Sequence, residues 1–72
     1  MTADEERAAI VANWRAAYRE ANGFEATSNI TYMNGWFVMD HPSRVSRYRK
    51  ATLIEMTERL RKRVERNSHE GQ

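Results

Sequence analysis

The sequence predicts a small α+β domain with an N-terminal helix, a two- or three-stranded antiparallel sheet and a C-terminal helix. Three observations predict it. Apolar residues recur at helical spacing near the N-terminus, and a second such stripe lies near the C-terminus. Between them, two apolar runs are joined by Asn34-Gly35. Helices that cover one face of a short sheet form a stable two-layer architecture. We expect a single domain in residues 1–66 and a frayed polar tail in residues 67–72.

The first helix is predicted over residues 3–21. Thr2 and Glu5 have the spacing of a capping box, and Asn22-Gly23 supplies a left-handed end. Between these signals an apolar stripe recurs at helical spacing, formed by Ile10, Val11, Trp14, Ala17, Tyr18 and Ala21.

The hairpin is predicted from Asn34-Gly35, which favours a two-residue type I′ turn because both residues adopt positive φ at low cost. That turn pairs Met33 with Trp36 and gives the sheet two different faces. One face holds Ile30, Tyr32, Phe37 and Met39, which we expect to pack on Ile10, Trp14, Tyr18, Leu53, Met56 and Leu60. The other holds Thr31, Met33, Trp36 and Val38, with Asn29 and Asp40 at its end. A three-residue loop with a bulge would exchange residues between the faces.

Residues 45–50 fit either a third strand or an extension of the final helix back to Ser43. Thr52 and Glu55 form a second capping box, which favours a helix start after Thr52 and leaves 45–50 free to pair as a strand. The final helix is therefore predicted over 53–66, with the apolar stripe Leu53, Met56, Leu60 and Val64.

The second sheet face has no predicted helix to cover it, and we predict that it is the binding surface. If Tyr48 points to the core, Val45, Arg47 and Arg49 point outward, and the reverse would bury two arginines at a cost of several kcal/mol. The predicted surface comprises Met33, Trp36, Val38, Arg44, Arg47, Arg49 and Lys50. The competing interpretation is that Trp36 belongs to the core, covered by the first helix or the N-terminal segment.

Function is predicted from the residue types on this face. Trp, Met and Arg are enriched at protein interfaces, so the leading hypothesis is a small non-catalytic protein-binding module: an adaptor, inhibitor or regulator that binds another protein or a second copy of itself. The alternative is a nucleic-acid-binding regulator that uses Trp36 and the four cations within Arg44–Lys50.

Composition argues against several other classes. The chain has no cysteine and two histidines, which leaves no disulfide and too few ligands for a structural zinc site, and fits a cytoplasmic protein. No apolar run approaches the ~20 residues that span a membrane. Asp40, His41 and Ser43 are too close in one turn to form a catalytic relay. We therefore predict no enzyme, no cofactor, no metal, no membrane partner and no small-molecule substrate.

The order of elements resembles that of two phage families. A three-stranded sheet followed by a helix, with basic strand residues, is similar to the small sheet-reading DNA-binding domains of phage integrases. The order helix, hairpin, helix resembles small phage head-completion proteins. Both likenesses concern element order without a diagnostic motif, and neither family is assigned. Chain size and composition are also common among small phage and mobile-element proteins, so such an origin is part of the prediction.

Overall fold

The computed structural model describes residues 2–70, with side-chain surroundings for residues 2–66. The element order is α1 (Ala3–Asn22), β1 (Asn29–Met33), β2 (Trp36–His41), β3 (Arg44–Tyr48) and α2 (Lys50–Glu70). The three strands form one antiparallel sheet in the order β1-β2-β3. The predicted α+β class is confirmed, and so is the third strand.

The first helix begins and ends where local chemistry predicts. The Thr2 hydroxyl accepts a hydrogen bond from the Glu5 amide at 3.2 Å, which satisfies one free N–H of the first turn. Gly23 adopts a left-handed φ of 80° and donates its amide to the Arg19 carbonyl at 2.8 Å. The helix therefore stops one residue later than predicted, after Asn22.

The hairpin has the predicted register. Asn34 and Gly35 have φ values of 51° and 82°, as a two-residue turn with both central residues left-handed requires. Met33 pairs with Trp36 and Ile30 with Met39, so the bulged alternative is wrong. The second pairing, Phe37 with Tyr48 and Val38 with Arg47, extends the same alternation of faces to β3.

The core lies between the two helices and one face of the sheet. Ile10, Trp14, Phe37 and Leu53 form its buried cluster, and the half-buried apolar residues packed against it include Tyr18, Ile30, Met39, Tyr48, Met56 and Leu60. This agrees with the predicted core except at Tyr32, which is 41% exposed. Tyr32 lies on the edge strand. Its ring centroid lies 5.1 Å from that of Phe37 in an edge-on contact, and the Arg7 guanidinium carbon lies 3.9 Å from the Tyr32 ring centroid. A cation covers it in place of an apolar side chain.

The predicted start of the final helix at residue 53, after a cap at Thr52, is wrong. The helix begins at Lys50, and the Leu53 amide donates to the Arg49 carbonyl at 3.0 Å, so Arg49 occupies the capping position. Because β3 ends at Tyr48, a single residue joins strand to helix, and the Thr52 pattern falls inside the first turn. The helix also continues past the predicted end, through Glu70, so the predicted tail begins within it. Gly71 and Gln72, the rest of that tail, lie outside the described residues.

Candidate protein-binding surface

The side of the sheet that faces away from the helices is called the outer face below. Strand alternation and the observed register place on it Asn29, Thr31, Met33, Trp36, Val38, Asp40, Val45 and Arg47, with Arg49 directly after β3. Trp36 is half-buried but does not belong to the core cluster. The interpretation that α1 or the N-terminal segment covers Trp36 is therefore wrong for the described residues.

Two arginines cover the Trp36 ring instead. The Arg49 guanidinium lies 3.8 Å from the ring centroid and that of Arg47 lies 5.2 Å away. Both distances are within the range of cation–π attraction, which contributes roughly 0.5–1 kcal/mol per pair at exposed sites. The stack holds two long side chains in place, and both guanidinium groups remain exposed to solvent.

The hairpin turn positions the closer of these arginines. The Arg49 Nη1 donates to the Gly35 carbonyl at 3.0 Å. A Cβ added at Gly35 would lie 2.8 Å from that same nitrogen, so the glycine provides both the turn and the space for the guanidinium. The Asn34-Gly35 pair therefore fixes the register of Trp36 and the position of the cation above it.

The charge on the outer face is mostly unpaired. Within the part of the chain with described side chains, no carboxylate lies within salt-bridge distance of Arg47 or Arg49. Asp40 is exposed at the opposite end of the face, paired across the sheet with Asn29 and Val45. The face is thus basic around Trp36 and carries a single acid at its far end.

Exposed apolar side chains complete the outer face. Met33 is 59% exposed and Val45 is 62% exposed, one on each edge strand. Towards the Asp40 end lies a shallow recess of about 490 Å³, lined by residues that include Thr31, Val38, Asp40 and Val45. Apolar residues beside unpaired arginines are a composition typical of protein interfaces.

The structure divides the predicted surface. Met33, Trp36, Val38, Arg47 and Arg49 come together on the outer face. Arg44 pairs with His41 in the β2–β3 register and lies on the helix side with Trp14 and Tyr18. Lys50 begins α2 and forms an ion pair with Glu6 of α1. Arg44 and Lys50 are close to Arg47 and Arg49 in the sequence, but their side chains do not lie with them on the outer face.

The β2–β3 turn brings a serine close to a histidine. The Nδ1 of His41 lies 2.8 Å from the Ser43 hydroxyl and accepts the Ser43 amide at 3.3 Å. Asp40 lies on the outer face, on the other side of the strand, and so does not orient this ring. The three residue types noted in the sequence therefore do not form a triad. The absence of enzymatic activity stays a prediction.

Sequence reasoning missed a groove on the helix side that includes Tyr18, His41, Arg44 and Tyr48. Its one available signal was the two-residue period of β3, which places Arg44 with Tyr48 on the face opposite Arg47.

Comparison with known proteins identifies no relative: no family model, curated protein or solved structure matches the chain. No helix in the described part of the chain is long and apolar enough to cross a membrane. Residues 2–66, whose side chains the structure describes, also contain no group of three or more potential metal ligands.

Proposed function

We propose that this protein is a small binding module whose outer face holds an acidic surface of another protein, as an adaptor, inhibitor or regulator. The observation that carries the proposal is the stack of Arg47 and Arg49 on Trp36, on the sheet face opposite the core. Among the side chains that the structure describes, neither guanidinium group has a carboxylate partner, so both present planar forks of donors, which match carboxylate geometry.

The energetic role of each residue follows from its position. Trp36 is the large aromatic group near the centre of the basic region, where exclusion of water by a partner would strengthen the arginine–carboxylate bonds. Met33 and Val45 supply apolar area on either side. Because Trp36 and its arginines are already in contact, less side-chain entropy is lost on binding than for arginines that contact nothing.

A protein partner suits this face better than nucleic acid. The predicted run of four cations is reduced to two on the outer face, since Arg44 lies on the opposite side and Lys50 is paired with Glu6. Two phosphate contacts give weak, shallow salt dependence. The Trp36 ring carries guanidinium groups where a base would stack, and Asp40 would repel a phosphate backbone.

A second copy of the chain is a poorer partner than a foreign acidic protein. In a symmetric dimer the outer face would meet itself, with two arginines but a single Asp40 on each side. At least two cations would then face each other without a carboxylate, which disfavours the dimer.

The test is a comparison of captured proteins across matched variants. Immobilised wild type and the double variant Arg47→Gln/Arg49→Gln are exposed to extract of the source cell, together with Arg44→Gln, which removes a cation from the other face of the same sheet. We expect a protein that wild type and Arg44→Gln retain, that the double variant loses, and that binds purified wild type less tightly as salt rises.

Three outcomes would overturn the proposal. One is the absence of any captured protein that depends on Arg47 and Arg49. Another is retention of labelled duplex or single-stranded nucleic acid at ~50 mM salt that the double variant abolishes, which favours the nucleic-acid alternative. The third is a light-scattering mass of at least twice the 8.5 kDa chain that Trp36→Ala lowers, which favours self-association.

A further inference from the structure

We propose that the groove on the helix side of the sheet, beside Arg44, binds a small organic anion that carries a flat ring. The groove has a volume of about 550 Å³ and lies between the second half of α1, the loop before β1 and the β2–β3 turn. This volume falls within the range of about 300–1,000 Å³ that is usual for small-molecule sites.

The groove forms because the core fills only one end of the helix-side face. Phe37 is buried beneath α1 and α2, near the hairpin turn. Further along the sheet, Met39 pairs with Ser46, and the short serine side chain leaves space between the strands and α1. His41 and Arg44 lie beyond them, at the open end.

The polar groups of the groove favour a negatively charged ligand. No acidic residue lines it, and among the described side chains no carboxylate lies within salt-bridge distance of the exposed Arg44. The Nδ1 of His41 accepts the Ser43 amide, so in the neutral ring the proton lies on Nε2, which is then a donor. The Ser43 hydroxyl donates to the same unprotonated Nδ1 at 2.8 Å. The donors that line the groove for an anion are therefore Arg44, the histidine Nε2–H and the Ser46 hydroxyl.

The remaining walls favour a ring. Tyr18 and Tyr48 are half-buried and line the groove together with Trp14, whose ring lies 5.2 Å from that of Tyr18. Aromatic walls bind flat apolar groups by offset or edge contacts. A ligand that carries both an anionic group and a flat ring would therefore contact the polar residues near Arg44 with the one and the tyrosines with the other. Nucleoside monophosphates and aromatic carboxylates share this chemistry.

The experiment is an amide NMR titration of the whole chain with adenosine monophosphate and, separately, with benzoate. We expect shifts concentrated at Thr27, Ser46 and Tyr48 for at least one probe, and the responding probe identifies the anion as phosphate or carboxylate. Adenosine and inorganic phosphate, which each lack one half of the chemistry, should bind more weakly than adenosine monophosphate.

Two arginines on one strand supply the matched control. Arg44→Gln should raise the dissociation constant about tenfold or more through loss of a charge-assisted hydrogen bond, whereas Arg47→Gln on the outer face should leave it unchanged. Thermal unfolding confirms that both variants are folded. The proposal is overturned if neither ringed anion shifts the groove amides at ~10 mM, or if the two substitutions weaken binding equally.

Discussion

Trp36 and Phe37 are consecutive aromatic residues of β2, and the chain shields them by different means. Phe37 is 1% exposed, enclosed by apolar residues of α1, α2 and the sheet. Trp36 faces the other way and is half-buried beneath Arg47 and Arg49. An apolar enclosure stabilises the fold through area removed from water, whereas two exposed cations stacked on a half-buried ring stay in contact with solvent. The two faces of one strand thus separate the core that stabilises the fold from the surface that we propose binds a partner.

The largest expected effect tests this separation directly. Phe37→Ala should lower the free energy of unfolding by about 3–5 kcal/mol, because a large buried ring leaves a cavity. Trp36→Ala should lower it by no more than about 2 kcal/mol, since it removes a half-buried ring and two exposed cation contacts. Urea unfolding followed by circular dichroism measures both. Equal losses would show that Trp36 is a core residue after all.

A second neighbouring pair extends the comparison to α2. Leu53 is fully buried, so Leu53→Ala should lower the free energy of unfolding by about 2–5 kcal/mol. Ile54, the next residue, is 36% exposed, and Ile54→Ala should cost less than about 1 kcal/mol. Thermal melts of the two variants provide the measurement. A larger loss for Ile54 would mean that α2 turns a different side to the core.

The hairpin glycine links the turn to the cover of Trp36. Gly35→Ala should cost about 1–2 kcal/mol for a left-handed alanine, and the new Cβ should push the Arg49 guanidinium away from the ring. Gly23→Ala is the control, because its φ is equally left-handed but a Cβ there meets nothing within 4 Å. We expect tryptophan fluorescence to change only for Gly35→Ala. An identical response in the two variants would contradict the crowding of Arg49.

The smallest effect concerns the arginines themselves. Arg49→Gln should cost about 0.5–1 kcal/mol and Arg47→Gln less, since Arg49 lies closer to the ring and also donates to Gly35. Arg44→Gln, on the other face, should be neutral within error. Chemical denaturation at low salt would rank the three. A cost at Arg44 as large as at Arg49 would show that the stack on Trp36 contributes nothing specific to stability.

Local chemistry was sufficient to predict much of the fold and part of the candidate site. The Asn34-Gly35 turn sets the register between its neighbours, and the alternation of strand side chains then assigns Trp36 and Phe37 to opposite faces. The Thr2 cap and the Gly23 stop place α1 within one residue, because each acts on backbone groups a few positions away. These features depend on short stretches of sequence and needed no knowledge of distant contacts.

Contacts between distant segments were beyond that reasoning. The Thr52 capping pattern does not start the helix, because α2 begins at Lys50, one residue after β3, with the Leu53 amide bonded to the Arg49 carbonyl. Arg44 and Lys50 do not lie on the outer face as predicted. The register of β3 places Arg44 on the helix side, and Lys50 forms an ion pair with Glu6 of α1. The groove beside Arg44 combines residues from α1, a loop, β2 and β3. A linear pattern reports which residues share a face of one element, but packing alone brings faces of different elements together.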